Sequence, residues 1–354
     1  MLLLKAKTRP LLGLDITTSS VKLIELGLSG GQYRVESYAA EPTPPNSINE
    51  KAIVDAAAVG EAIKRAAKRA GARAKEAAVA ISGDAAITKV IQMPRSLSEG
   101  ELEAQVELQA DQYIPFPMEE VSYDFEVIGP SEKDPEMLDV LLVATRTENV
   151  EQRIAACTAA GLTARIVDVE AFALENSCRL LTHQMPDGGL GRVISVVDFG
   201  ASSTTFSVLR DLKVIYTRDF SFGGQQLTEE IMRTYGLSME EAGRVKKEGG
   251  LPGNFQTEVL DPFIDDMCQQ VSRSLQFFLA SGAGREQPEQ ILVCGGCANI
   301  PGAAEVIASR VGIAAEKGDP LGQMKLSSKA KNQSVKRDAT ALLTACGLAL
   351  RSFD

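Results

Sequence analysis

The 354-residue chain has one histidine and six cysteines in no paired pattern. His183 has no partner motif, and nothing resembles a nucleophile elbow, so a Ser/His/Asp triad is unsupported. Cys157, Cys178, Cys268 and Cys346 are isolated, which rules out a disulfide framework. Cys294 and Cys297 form a C-x-x-C, but zinc needs more ligands at matching spacing. Long apolar runs are also missing. The longest uncharged run, Gln290–Ala304, is short of the roughly 20 residues a spanning helix needs and is broken by glycines and a proline. The opening MLLLKAKT has no h-region and no cleavage site, so it is not a secretory signal. Positive charge is in deficit, with 37 Lys and Arg against 47 Asp and Glu, which argues against a general nucleic-acid binder. No G-x-x-x-x-G-K-[ST] occurs, and the nearest G-x-G-x-x-G fails because Ile194 follows Gly189 and Gly191 where a third glycine belongs. The expectation is a soluble cytoplasmic protein of two or three domains.

What is present is a repeat. Leu12–Leu26 reads LGLDITTSSVKLIEL and Val197–Leu209 reads VDFGASSTTFSVL. Each is an apolar strand, an aspartate, three residues, Ser-Ser and a second strand. Asp15, Ser19 and Ser20 match Asp198, Ser202 and Ser203 at a separation of 183 residues, which predicts a duplicated architecture. Turns of this kind expose backbone N–H groups that hold phosphate oxygens, and Ser and Thr hydroxyls add donors. A carboxylate at the strand end can hold Mg²⁺ through water. A plain hairpin explains one copy equally well, since turns favour Asp, Gly and Ser. A third element, QILVCGGCANIPGAAEVI over Gln290–Ile307, runs from a strand through Gly295-Gly296 into a helix. Such a corner lets backbone approach a flat ligand such as a purine, or is simply a tight turn.

Two Asp-hairpins and a strand–Gly-Gly–helix corner, in this order, resemble the actin-like ATPase superfamily, to which actin, DnaK-type chaperones and FtsA belong. The run Tyr113-Ile114-Pro115-Phe116-Pro117 with Glu119-Glu120-Val121, and the segments around it, are similar to type IV pilus assembly proteins of the PilM family. The resemblance implies an α/β fold, actin-like (ribonuclease H-like) and duplicated into two domains, with an FtsA-like inserted α+β subdomain in the first. It implies ATP or ADP with Mg²⁺ in the interdomain cleft. Gly13, Asp15, Thr17, Thr18, Ser19, Ser20 and Lys22 would grip phosphates from one side, and Asp198, Gly200, Ala201, Ser202, Ser203 and Thr204 from the other. Gly223, Gly224, Lys246, Gly295, Gly296, Cys297 and Asn299 would line the nucleoside, with Asp15 and Asp198 holding Mg²⁺ through water. FtsA-like proteins often carry Ala-Glu-x-x-Lys beside the adenine. Here Ala242 and Lys246 are kept and Gly243 replaces the Glu, which lowers the affinity expected. Asp168 or Glu170 could orient water for hydrolysis; weak or absent turnover fits a structural nucleotide.

The same resemblance implies a component of the pilus inner-membrane platform, supporting pilus biogenesis and twitching motility. Its implied partners are the N-terminal cytoplasmic tail of a PilN-like membrane protein, other platform proteins, assembly ATPases and further copies of itself. Membrane association would be peripheral and through the partner. The alternative is an active actin-like ATPase or a sugar-kinase-related phosphotransferase. The expected organisation is 1–76 and 162–188 in the first domain with 77–161 inserted, 189–225 and 286–337 around 226–285 in the second, and 338–354 returning to the first. A helix is expected over Ala52–Ala74 and another over Thr257–Ser281. From Ser96 to Val140 there are 13 acids and one base, Lys133, so the insert is a solvated acidic subdomain or a dock for a basic peptide. Its apolar residues Leu102, Val106, Tyr113, Ile114 and Phe116 are candidates for a groove against the first domain, or for the insert's own core. Lys317–Arg337, with six bases including Lys331 against Asp319, reads as a basic surface loop that could face anionic lipid.

Overall fold

The computed structural model describes residues 10–131, 134–282, 286–330 and 333–354. The MLLLKAKT start, Glu132, Lys133 and Lys331 lie outside them.

The chain opens with a meander, β1 Leu11–Ile16, β2 Ser20–Ser29 and β3 Gln32–Pro42, followed by a two-residue hairpin pair, β4 Ile48–Asn49 and β5 Ala52–Ile53. Helix α1 is Ala56–Ala70, shorter than expected. Its start is set by Asp55, which accepts from the Ala58 N–H at 2.9 Å, and its end by left-handed Gly71. Ala52 and Ile53, expected in the helix, are the second strand of the hairpin instead. Strand β6, Glu76–Ile81, pairs parallel with β1. Strand β7 Ala86–Pro94, helix α2 Glu99–Ala110, strand β8 Val121–Pro130 and strand β9 Met137–Arg146 then form the insert, with the sheet in the order β7-β9-β8. Ser98 and Glu101 make a capping box on α2. Helix α3, Thr147–Ala159, returns to pack on α1, and β10 Thr163–Val169 pairs with β6 before α4, Glu170–Cys178.

The second domain repeats the scheme. Strands β11 Val193–Phe199, β12 Thr204–Arg210 and β13 Lys213–Phe220 form the meander. Helices α5 Gly224–Tyr235, α6 Met239–Glu248 and α7 Asp261–Ala280 follow, the last preceded by a π-turn at Gln256–Leu260. Strand β14 Gln290–Gly295, helix α8 Ala303–Val311 and strand β15 Ala314–Lys317 complete the sheet. The chain then crosses back through β16 Lys325–Leu326, α9 Gln333–Arg337 and α10 Leu343–Leu350.

Among the described residues the two sheets run β10-β6-β1-β2-β3-β16 and β13-β12-β11-β14-β15. Each has an antiparallel meander whose first strand is continued by parallel strands, so the sequence repeat is a repeat of sheet topology. Strand β1 is buried on both faces: Leu12 and Leu14 join the α1 core, while Gly13 lies under α10. Domain II gathers its core from β11, β12 and α7, with Phe263, Met267, Val271, Leu275 and Phe278 recurring at helical spacing.

Three expected boundaries move. Residue 77 falls inside β6, whose buried small residues Ala77–Val79 sit beside β1 in the core sheet. Residues 147–159 belong to the core too, because α3 packs on α1. The return to the first domain precedes 338. Lys325 and Leu326 pair with Arg34 and Val35, and Ala330 and Val335 are buried with Ile24 and Leu26. Part of the basic stretch is therefore a sheet edge, not a free loop; Lys329 donates to the Gly71 carbonyl at 3.0 Å. No helix among the described residues is long and apolar enough to cross a membrane.

Candidate functional site

The two Asp-hairpins meet tip to tip. Thr18 and Ser202 share a hydroxyl–hydroxyl hydrogen bond of 3.0 Å across the cleft. The first tip is shaped by Thr17, whose hydroxyl donates to the Ser20 carbonyl at 2.9 Å and whose N–H bonds the same carbonyl. The second is closed by the Gly200 N–H on the Ser203 carbonyl at 3.0 Å, and buried Thr204 donates to the Phe222 carbonyl at 2.7 Å. Ser19 and Ser202 stay exposed.

Behind the tips the aspartates differ. Asp15 is buried and takes a 2.6 Å bond from Lys22, its neighbour across the ladder. Burial works against the Lys22 ammonium, but Asp15 holds its pKa above the ordinary value, with Asp198 and Asp338 adding to this. Asp198 faces Thr205 across its ladder. Desolvation raises it to about 6, with Lys22 and Lys51 opposing and Asp15 and Asp219 reinforcing.

Around Asp198 lie two residues that the sequence patterns did not single out for this cleft, Lys51 and Asp219. Thr205 donates to Asp219 at 2.6 Å. Lys51, on the β4–β5 turn of the first domain, donates to Asp219 at 2.9 Å and lies 3.6 Å from Glu170. Burial raises Glu170 to about 7, against the pull of Lys51. Carboxylates from both domains thus outnumber the cations in the cleft, which suits a divalent cation there. Among the described residues no three ligating side chains converge on one point, so such an ion would keep most of its waters, as Mg²⁺ does. For Lys51 alone there is a local cue. Glu50-Lys51 is a two-residue turn between short strands, followed at once by the Asp55 cap; an unbroken alanine-rich helix obscured it.

The residues expected to line a nucleoside also lie close together. Gly295, at φ 84°, lies so close to β11 that a Cβ would come within 2.2 Å of the Phe199 carbonyl oxygen. Gly296 beside it is exposed, with open space where a Cβ would be. Gly223 and Gly224 start α5 against the second tip, the Gly224 N–H bonding the Gly200 carbonyl at 3.0 Å. Cys297 is buried with its thiol 3.7 Å from that carbonyl, and Cys294 is buried at the end of β14. Lys246 donates to the Gly224 carbonyl at 2.7 Å and to Thr228 at 2.6 Å; desolvation lowers its pKa. The flexible hydroxyls, the open Gly296 and the carboxylate excess fit a Mg-nucleotide.

Other candidates sit elsewhere. Gly13 is small because of α10, not a phosphate: a Cβ there would meet the Ala345 carbonyl oxygen at 2.0 Å. Asn299 ties the corner to the returning chain, donating to the Arg337 carbonyl at 2.9 Å and Thr340 at 3.1 Å. Asp168 faces Arg351 at 3.6 Å, on the α10 side of the sheet, so of the two acids suggested for orienting water only Glu170 reaches the cleft cluster. On the insert, Leu102, Val106 and Ile114 form its own core with Met93, Val140 and Leu142, leaving them unavailable to a groove. Phe116 packs into that core under Arg146, whose guanidinium lies 4.8 Å from its ring. Tyr113 stays 41% exposed.

Comparison with known proteins follows the same lines. The model of the type IV pilus assembly protein PilM family matches residues 13–353. A solved PilM-PilN type IV pilus biogenesis complex is similar at 29% identity and a TM-score of 0.80, covering 98% of this chain and 99% of that one. The ethanolamine utilization protein EutJ of Carboxydothermus hydrogenoformans is similar in fold at 16% identity and a TM-score of 0.52, covering 96% and 88%. MreB5 of Spiroplasma citri, solved with AMPPNP, shares the fold at 14% identity and a TM-score of 0.50, covering 99% and 97%.

Proposed function

This chain belongs to the type IV pilus assembly protein PilM family, and on that premise we propose that it is a nucleotide-binding platform component that docks the cytoplasmic tail of a PilN-like inner-membrane protein. Mg-ATP or Mg-ADP sits between the two hairpin tips and joins the domains. Partner docking takes place on the insert and holds the protein at the inner membrane, in support of pilus biogenesis and twitching motility. The observation that carries the nucleotide reading is the pair of matched hairpins meeting at Thr18 and Ser202, with Asp198, a carboxylate that has no cation across its ladder, directly behind.

The docking reading is supported by the exposed face of α2. Glu103 and Glu107 are exposed there, with Leu108 67% exposed between turns and Tyr113 just beyond the helix. Cytoplasmic segments beside membrane spans are rich in Lys and Arg, so the charges are complementary. Leu108 and Tyr113 supply the apolar anchor that charge alone lacks. The test is titration of a basic tail peptide at low and high salt. Reversing Glu103 and Glu107 to Lys is expected to weaken binding by at least about fivefold. Reversing Glu258 and Asp261 on domain II is expected to leave it unchanged. Equal loss from both pairs, or from neither, overturns docking on the insert.

A further inference from the structure

The β4–β5 turn consists of Glu50 and Lys51, and both hold left-handed backbone, at φ 45° and 67°. Two-residue hairpin turns of this hand favour Asn-Gly or Asp-Gly, because a Cβ is crowded in that conformation. Residues kept there are over-determined by their surroundings, and such positions concentrate at functional sites. The surroundings here are specific. Arg153, only 5% exposed, donates to the Lys51 carbonyl at 3.3 Å, to the Ala80 carbonyl at 2.5 Å and to the Asn149 carbonyl at 3.2 Å. With its backbone so held, Lys51 extends its ammonium from the first domain to Asp219 of the second.

Sheet order gives this reach a meaning. In β13-β12-β11-β14, Asp198 lies between Thr205 on one side and Cys294 on the other, and Asp219 lies beyond Thr205. The Gly295–Gly296 corner and Lys51 therefore flank Asp198 from opposite sides. A nucleotide with its base at that corner would have Asp198 and then Lys51 beside its phosphates. The other two cleft lysines stay within their own domains: Lys22 on Asp15 at 2.6 Å, and Lys246 on a carbonyl and a hydroxyl of α5. Lys51 is shared between carboxylates of opposite domains and keeps 20% of its side chain exposed.

We propose that Lys51 is a specificity-determining residue of the cleft, contacting the terminal phosphate of a nucleoside triphosphate and so separating triphosphate from diphosphate. The proposal rests on the nucleotide reading given above. The backbone strain at Glu50-Lys51 keeps a cation aimed at that position.

The experiment is calorimetric titration of Mg-ATP and Mg-ADP into the full chain and into Lys51→Gly, Lys51→Asn and Lys51→Arg, with thermal melts of each without nucleotide. Glycine and asparagine both accept the left-handed turn, so the backbone tolerates them, but both leave Asp219 and Glu170 without their cation; the melts are expected to fall for that reason, and the ATP-to-ADP ratio is read separately from that loss. Their preference for ATP over ADP is expected to fall about tenfold, the worth of a charge-assisted hydrogen bond. Lys51→Arg is expected to keep part of it. Wild type binding both nucleotides, with the ratio unchanged in Lys51→Gly and Lys51→Asn, overturns the role of Lys51 and leaves the nucleotide site standing. Wild type binding neither overturns the site and Lys51 with it.

Discussion

The two hairpins present the same turn to the same cleft and part company at one ladder position. Lys22 stands across from Asp15, and Thr205 across from Asp198. In the first domain the carboxylate is neutralised at 2.6 Å and the pair is buried into the fold. In the second, the threonine turns its hydroxyl to Asp219 and leaves Asp198 desolvated and raised to about 6. A duplicated motif has thus divided its labour. Asp15 is paired with Lys22, and Asp198 has no cation across its ladder, which under the proposed function leaves it for a bound metal.

The largest expected effect breaks the pair. Asp15→Ala strands the Lys22 ammonium and should cost about 3 kcal/mol in denaturant unfolding. Asp198→Ala removes a carboxylate with no partner across its ladder and should cost nothing at pH 8. Equal losses would erase the distinction between the hairpins. A smaller effect sharpens it. Thr205→Lys gives the second hairpin the cross-strand cation of the first, so Mg²⁺-dependent nucleotide affinity should fall about tenfold. Unchanged affinity would mean that Asp198 is not the free charge. A further effect is on pH. Glu170 is raised from an ordinary 4.5 to about 7. Between those values the folded state binds more protons than the unfolded chain. The stability tied to neutral Glu170 is therefore full at the acid end of the window and lost as pH rises through about 7. Glu170→Gln should flatten that decline in a pH series of urea midpoints. A profile parallel to wild type would contradict the burial of Glu170 among carboxylates.

Legibility in the sequence followed locality. Each hairpin is a dozen consecutive residues whose apolar alternation, aspartate and hydroxyl run are all local, and the strand–Gly-Gly–helix corner is equally so. The capping box at Ser98 and Glu101 was legible for the same reason. Lys51, Glu170 and Asp219 come from three distant elements and meet only once the domains are placed, so no spacing rule joins them. Strand β16 is two residues within a basic stretch, too short for a period, and its partner Arg34-Val35 lies at the other end of the chain. Leu102, Val106 and Ile114 show the converse. That they are apolar is plain in the sequence, but whether they are covered by the insert itself or by a partner depends on β7 and β9.

The asymmetry of the hairpins is tested most directly by the ratio of ATP affinity with and without Mg²⁺, measured by calorimetry for wild type, Asp198→Asn and Asp15→Asn. The account predicts that Asp198→Asn binds ATP almost equally with and without the metal, a loss of about 10–100-fold in Mg²⁺ dependence. Asp15→Asn, where it folds, keeps the wild-type ratio. A ratio that survives in Asp198→Asn and collapses in Asp15→Asn would contradict it.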